Sequence, residues 1–345
     1  MRLLVQPGDG ASPLIKAIHS AKTSIEIAIF RFDQREIEMA LAHAVSRGVA
    51  VRALIAHTNR AGEQNLRKLE LRLLAAGVTV ARTADDLERY HGKLMIVDHR
   101  ELYVLAFNLT YVDIEGCRSF GAVTRSQKLV REAGRLFEAD SKRIPYEPGA
   151  DELVVSPGNA RRELGDFIAG ARKELLIYDP KISDSAMIRL LEERARAGVE
   201  IRIIGKVTHE SSWLAVRKLS GWRLHTRTMI RDGQLAFIGS QSLRGIELDM
   251  RREIGIVFRD AKVVDQMVKI FREDWLAAGH DMEDAEHEPA PATKFAKKVA
   301  KAVARELPAE LAAEAETVKE AVRAALRGVV EEAVMHNGHN GAGAK

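Results

Sequence analysis

Tyr90-His91-Gly92-Lys93-Leu94-Met95-Ile96-Val97-Asp98 sets an imidazole and an ammonium two residues apart, so on an extended strand both side chains leave the same face. A neutral imidazole beside a fixed cation suits attack on an anionic phosphorus centre, because the cation offsets the charge that repels nucleophiles. Asn108 follows ten residues after Asp98. Read alone, His91 is an ordinary surface histidine in a basic loop, and Lys93 an ordinary solvated charge. The apolar run from Leu94 to Val97 argues otherwise for Lys93, placing it at the mouth of a buried strand. The decisive observation is a second copy: His225-Thr226-Arg227-Thr228-Met229-Ile230-Arg231-Asp232 lies 134 residues further on.

Working outward, residues 1–60 and 151–210 match without a gap at an offset of 150. Pro7-Gly8 answers Pro157-Gly158, Ile25 and Ile27 answer Leu175 and Ile177, and Gly48-Val49 answers Gly198-Val199. Each copy reads as strand, helix, strand, helix, strand; in the first, the pattern predicts helices near 12–21 and 34–47 and strands at 24–30 and 49–55. Both second helices stop at a glycine directly before an alternating Val/Ile run, a C-cap followed by a period-2 pattern. Beyond residue 60 the offset falls to 134, and the 16 extra residues of the first copy carry a helix over 62–76 and part of the loop before Tyr90. The expectation is an α/β fold of two tandem modules with mixed sheets flanked by helices, related by a pseudo-twofold axis that brings the histidines together. The first module is assigned to 1–148 with its motif in 85–112, and the second to 149–278 with its motif in 219–246.

The chain has 345 residues, 46% apolar and 30% charged, as a soluble globular protein does, and its net charge of +4 favours anionic partners. Cys117 is the only cysteine, which excludes an intramolecular disulfide and suits a reducing, cytoplasmic compartment. No apolar run reaches signal-peptide length or the roughly 20 residues of a membrane span, so a lipid substrate is met from the water side. Residues 279–345 read as a linker and a helical tail rich in Ala, Glu and Lys, ending in disorder. Lys294, Lys297, Lys298, Lys301 and Arg305 share one helical face. Such a face fits peripheral contact with an anionic membrane or with nucleic acid, although a plain solvated helix explains it as well. A short heptad rhythm from Leu311 to Val329 leaves oligomerisation open. His336 and His339 belong to the flexible end and are not read as metal ligands.

The pattern His91-x-Lys93-x4-Asp98 with Asn108, repeated as His225-x-Arg227-x4-Asp232 with Gly239-Ser240-Gln241-Ser242, resembles the HKD motif of the phospholipase D superfamily. The resemblance covers about residues 1–278. It implies that one histidine attacks phosphorus to form a phosphohistidine, while the other protonates the leaving alcohol and then activates water or a second alcohol. It also implies that no metal or cofactor is needed, since Lys and Asn side chains supply the charge and hydrogen bonds. The family places a carboxylate eleven residues beyond the Asn position to orient the histidine of the opposite half; here that is Glu253 in one copy and Ser119 in the other. The copies therefore depart from the pattern at Arg227 for lysine, Ser242 for asparagine and Ser119 for the carboxylate, with Asp113 or Glu115 as substitutes for the last. The expected catalytic set is His91, Lys93, Asn108, His225, Arg227 and Glu253, with His91 as nucleophile and His225 as acid and base. Asp98, Thr110, Asp232, Ser240 and Ser242 are supporting residues: the aspartates as turn residues, Ser240 as a hydroxyl facing phosphate.

These residues point to a phosphodiesterase or phosphatidyltransferase acting on phospholipid. A nuclease of the same superfamily is the alternative, weakened by the low aromatic content of 5% and the lack of a dense basic stripe. A phosphate-ester-binding protein with a decayed second half-site is a third reading.

Overall fold

A computed structural model describes residues 1–57, 63–209 and 211–284. The predicted tail helix over 294–334 lies outside the described residues. The first half runs β1 (Arg2–Gln6), α1 (Ser12–Ser20), β2 (Ser24–Ile29), α2 (Arg35–Ser46), β3 (Ala50–Ile55), α3 (Glu63–Ala75), β4 (Thr79–Arg82), β5 (Arg89–Tyr90), β6 (Leu94–Val97), β7 (Glu101–Leu105), α4 (Tyr111–Glu115), β8 (Cys117–Thr124) and α5 (Gln127–Lys142). The second runs β9 (Leu153–Ser156), α6 (Ala160–Ala169), β10 (Glu174–Ile182), α7 (Ser185–Arg196), β11 (Glu200–Val207), β12 (Ala215–Arg217), β13 (Arg223–Leu224), β14 (Arg227–Arg231), β15 (Leu235–Gly239), α8 (Gly245–Asp249), β16 (Arg251–Phe258) and α9 (Ala261–Asp284). The last helix continues six residues past Ala278, through the first acidic residues of the stretch read as a linker.

Helix ends follow local chemistry. Helix α2 buries Ile37, Ala40, Leu41 and Ala44, one apolar stripe, and carries Glu36 and Glu38 in its first turn where the helix dipole favours anions. Helix α7 begins at Asp184, whose carboxylate accepts from the backbone N–H groups of Ala186 and Met187, both at 3.1 Å. Both helices stop at left-handed glycines, Gly48 (φ +83°) and Gly198 (φ +89°), as an αL cap requires.

The strands form two mixed sheets. The first has the order β1-β8-β7-β6-β2-β3-β4, and the second β12-β11-β10-β14-β15-β16, with β9 also on β16. Within the first, β2 is parallel to β3 and antiparallel to β6, with Ile25 opposite Val97 and Ile27 opposite Met95. The second repeats this with β10 between β11 and β14. The sheets face each other across one core that includes Leu94, Phe120, Tyr178, Ile238, Ile254 and Phe271, with side chains from α5 and α9 packed into it. Helices α1, α2 and α3 cover the outer face of the first sheet, and α6 and α7 that of the second.

Two short strands cross between the halves. Strand β5 runs parallel to β16, pairing Tyr90 with Arg252, and β13 runs parallel to β8, pairing Leu224 with Arg118. His91 N–H donates to the Arg252 carbonyl at 2.7 Å, and His225 N–H to the Arg118 carbonyl at 3.1 Å. Those two arginines hold equivalent buried aspartates: Arg118 grips Asp274 with two bonds of 2.8 and 3.0 Å, and Arg252 meets Asp140 at 3.0 Å. This reciprocity is the expected pseudo-twofold relation, and it delivers each histidine onto the edge of the opposite half.

Candidate active site

Each motif histidine sits just before an inner strand of its own sheet, and both are buried, at 8% and 7% exposure. Their Nδ1 partners differ. His91 Nδ1 lies 2.8 Å from Glu253 Oε2, across the halves. His225 Nδ1 lies 2.9 Å from the Ala106 carbonyl, which only accepts, so that nitrogen carries the proton and the tautomer is fixed. Ala106 stands where the second half has Ser240; Ser119, the position equivalent to Glu253, is buried but does not contact the imidazole through any hydrogen bond described. Asp113, one of the two carboxylates expected to substitute, approaches from the other side: its Oδ2 is 3.4 Å from His225 Nε2. It favours the imidazolium form from the Nε2 side, rather than orienting the ring from behind.

The cations differ in reach. Lys93 Nζ donates to the His91 carbonyl at 2.5 Å, and Arg227 Nη1 donates to the His225 carbonyl at 2.7 Å, so both stand at equivalent posts. Arg227 Nε also donates to Ser242 Oγ at 3.2 Å. The two departures from the motif thus compensate: a longer, wider cation meets a shorter polar side chain. Asn108 Nδ2 donates to Asp113 Oδ2 at 2.5 Å, and the Asn108 N–H to the same oxygen at 3.0 Å. In the second half the Ser242 N–H donates to Glu247 Oε2 at 2.8 Å, so Asp113 and Glu247 are equivalent struts beneath the two polar turns.

Electrostatics follow burial. Desolvation, with Lys93 and Arg227 adding, drives the His91 imidazole well below its ordinary value, which favours the neutral ring. His225 is also driven down by burial and Arg227, with Asp113 opposing. Lys93 falls to about 7, mainly through desolvation, while Glu253 and Asp113 hold its proton. Glu253 is raised by burial against the pull of Lys93 and Arg227.

The supporting residues fall in different places. Asp98 and Asp232 lie at the far ends of β6 and β14, away from the histidines, in left-handed turns (φ +52° and +53°). Asp98 accepts backbone bonds from Lys22, Thr23 and Ser24, and Asp232 from Arg172, Lys173 and Glu174. They brace the start of β2 and β10, as turn aspartates do. Thr110 caps α4, accepting from the Asp113 N–H at 3.3 Å. The Ser240 hydroxyl is fully buried and bonded to the backbone of Ile254, next to Glu253, so it anchors β16. Sequence reasoning missed four contributors: Ala106 through its carbonyl, Phe30, whose ring meets His91 edge-on at 4.7 Å, Glu247 and Asp179. Asp179 is buried under Ser242 and Leu243, accepts the Leu243 N–H at 2.8 Å, and is pushed up to about 6 by burial. A carboxylate inside an apolar strand was its one sequence signal. Glu247 could have been found by adding 134 to Asp113.

Two half-sites of one design, meeting across a duplicated α/β frame, define a phospholipase D-type phosphodiesterase. The family described as "Cardiolipin synthase, PLD-like domain" matches residues 14–141 and 164–275, and the chain belongs to it. Cardiolipin synthase A of Proteus mirabilis (strain HI4320) is 22% identical over 355 residues, a match covering 84% of this chain and 72% of that protein. Among solved structures, the polyphosphate kinase of Porphyromonas gingivalis superposes with a TM-score of 0.66 at 19% identity, covering 79% of this chain and 49% of the kinase. The phosphatidylserine synthase of Haemophilus influenzae Rd KW20 gives 0.62 at 12% identity, covering 88% and 93%. At these identities the two structures establish the fold.

Among the described residues no helix is long and apolar enough to cross a membrane.

Proposed function

We propose that the chain cleaves or exchanges a phospholipid phosphodiester through a covalent phosphohistidine on His91, without a metal. The observation carrying this reading is the unequal support of the two imidazoles: a carboxylate behind His91 Nδ1, a neutral carbonyl behind His225 Nδ1. Glu253 accepts the hydrogen bond of His91 Nδ1–H, fixing the tautomer that leaves the Nε2 lone pair free to attack phosphorus. As the N–P bond forms, the P–O bond to the leaving alcohol breaks and His225 Nε2–H gives the alkoxide its proton. His225, now neutral, takes a proton from water or a second alcohol; that oxygen attacks phosphorus, the N–P bond breaks, and His91 is restored. Lys93 and Arg227 neutralise the phosphoryl oxygens throughout, the task a metal performs elsewhere. Asp113, 3.4 Å from His225 Nε2, favours the protonated form an acid needs.

Phospholipid is the preferred substrate because the family and the cardiolipin synthase relative point to lipid chemistry. The test is incubation with phosphatidylglycerol and phosphatidylcholine vesicles in EDTA, with assay for phosphatidic acid, free headgroup and cardiolipin. At least one of these products is expected. Cleavage of DNA or RNA in EDTA with no lipid product would replace this reading by the nuclease one.

The pH dependence has a defined sign. Lys93 and His225 must carry protons for the first step, and both are lowered in the free enzyme, Lys93 to about 7. Activity therefore falls as pH rises: kcat/KM should decline from the acid side and more steeply above about 7. Bound substrate adds a negative phosphate that raises both groups, so the fall in kcat should come at higher pH. A kcat/KM that climbs between about pH 6 and 8 contradicts this assignment of protons.

A further inference from the structure

Helix α3 has no counterpart in the second half, and it closes one side of a cavity of about 850 Å3 whose other walls come from α2, the end of β2 and Thr110. That volume is in the range of small-ligand sites. The cavity adjoins the catalytic centre along two chain paths. Phe30 packs on His91, and Arg31 and Phe32, the next two residues, line the cavity. Asn108 stands at the centre, Leu109 bridges to Phe32, and Thr110 lines the cavity. At about 3.3 Å per extended residue, its mouth is on the order of 10 Å from His91.

The lining is divided. Phe32, Met39 and Ala42 supply apolar wall over the buried Leu66 and Leu69, and Arg31, Arg35 and Lys68 supply cations. A further cation, Arg72, is already paired with Glu38 at 2.7 Å, and Asp33 accepts the Tyr111 N–H at 2.6 Å. Among the described residues, Arg31, Arg35 and Lys68 have no carboxylate partner, and Arg31 Nε is buried without a hydrogen bond. The pseudo-twofold relation provides an internal control. The positions equivalent to Arg31, Phe32 and Arg35 are Lys181, Ile182 and Ser185, and there Asp184 is bonded to Arg161 at 2.8 Å, which also binds Asp249. The residues that make the hollow basic in the half that carries His91 are thus not repeated as a set in the other half.

We propose that this cavity is a subsite for a second, anionic phospholipid, the one whose alcohol accepts the phosphatidyl group from His91, with its own phosphate on Arg31, Arg35 and Lys68 and an acyl chain against Phe32 and Met39. The proposal rests on the lipid reading above and adds where and by what chemistry the lipid is held. An anion beside uncompensated guanidinium groups gains charge-assisted hydrogen bonds, and the wall takes up the chain by apolar burial.

The test is equilibrium binding of water-soluble dihexanoylphosphatidylglycerol, with glycerol 3-phosphate as a chainless control, to the full chain and to Arg35→Glu/Lys68→Glu, two exposed positions whose reversal leaves the core intact. The phospholipid is expected to bind at least tenfold tighter than glycerol 3-phosphate, and the charge reversal to weaken it at least tenfold, with Arg35→Lys close to the unaltered chain. Equal binding by the charge-reversed chain, or equal affinity for the two ligands, overturns the subsite. If phosphatidylglycerol is nonetheless turned over, the proposed function survives that result; if it is neither bound nor turned over, both fall.

Discussion

His91→Ala is expected to lower kcat by on the order of 10^4-fold or more, the loss typical when a nucleophile is removed from a site whose other groups remain. The argument is chemical: Lys93, Arg227 and Asn108 still bind and neutralise phosphate, but no atom is left to form the N–P bond. Alanine also leaves Glu253 buried without its imidazole, and a gap beside Phe30, so a fall in stability accompanies the change. His91→Asn keeps a polar group against Glu253 and separates the two effects; it should fold and still be inactive. With phospholipid labelled in its phosphate, the unaltered chain should yield an acid-labile, alkali-stable label after denaturation, and His91→Asn none. His225→Ala should slow both steps and, with a good leaving group that needs no proton, leave the label on His91. Label that persists in His91→Asn would move the nucleophile to His225.

The second large effect is on stability. Asp274 lies 8% exposed beneath Arg118 and also accepts from Tyr178 OH at 2.7 Å. Removing one partner of such a pair strands the other charge and costs about 3–5 kcal/mol. Asp274→Ala should therefore lower the Tm by roughly 10 °C. Replacing both groups, as Arg118→Met with Asp274→Leu, should recover much of that loss, because the cost lies mainly in the uncompensated guanidinium. Thermal and denaturant melts check this; a melt unchanged in Asp274→Ala sinks it. Activity should fall more than stability alone explains, since the Arg118 carbonyl holds the His225 N–H.

Much of this was legible in the residues. The offsets of 150 and 134 gave the two frames, because strand and helix periods survive duplication even when identities do not. The exchange of Glu253 toward His91 followed from the motif. The replacement behind His225 did not, because a backbone carbonyl has no sequence signature; only the position of Ala106 in space reveals it. Strands β5 and β13 are two residues each, too short for any period to mark them. Ser240 was read as a hydroxyl facing phosphate; its hydroxyl bonds to the backbone of Ile254, and a hydroxyl after glycine reads alike in either case. Asp113 was within reach of sequence reasoning, but its side of the imidazole was not.

The crossed strands β5 and β13 carry a consequence for how such a molecule changes over generations. Were the halves identical copies from separate chains, any substitution would strike both half-sites at once, and a nucleophile could not be tuned apart from its acid. Joined head to tail, with each arm reaching into its neighbour, the halves are free to specialise. Arg227 with Ser242, Ala106 opposite Ser240, and a helix present on one side alone are places where the two halves differ. Two halves joined in one chain make symmetry a starting point instead of a constraint.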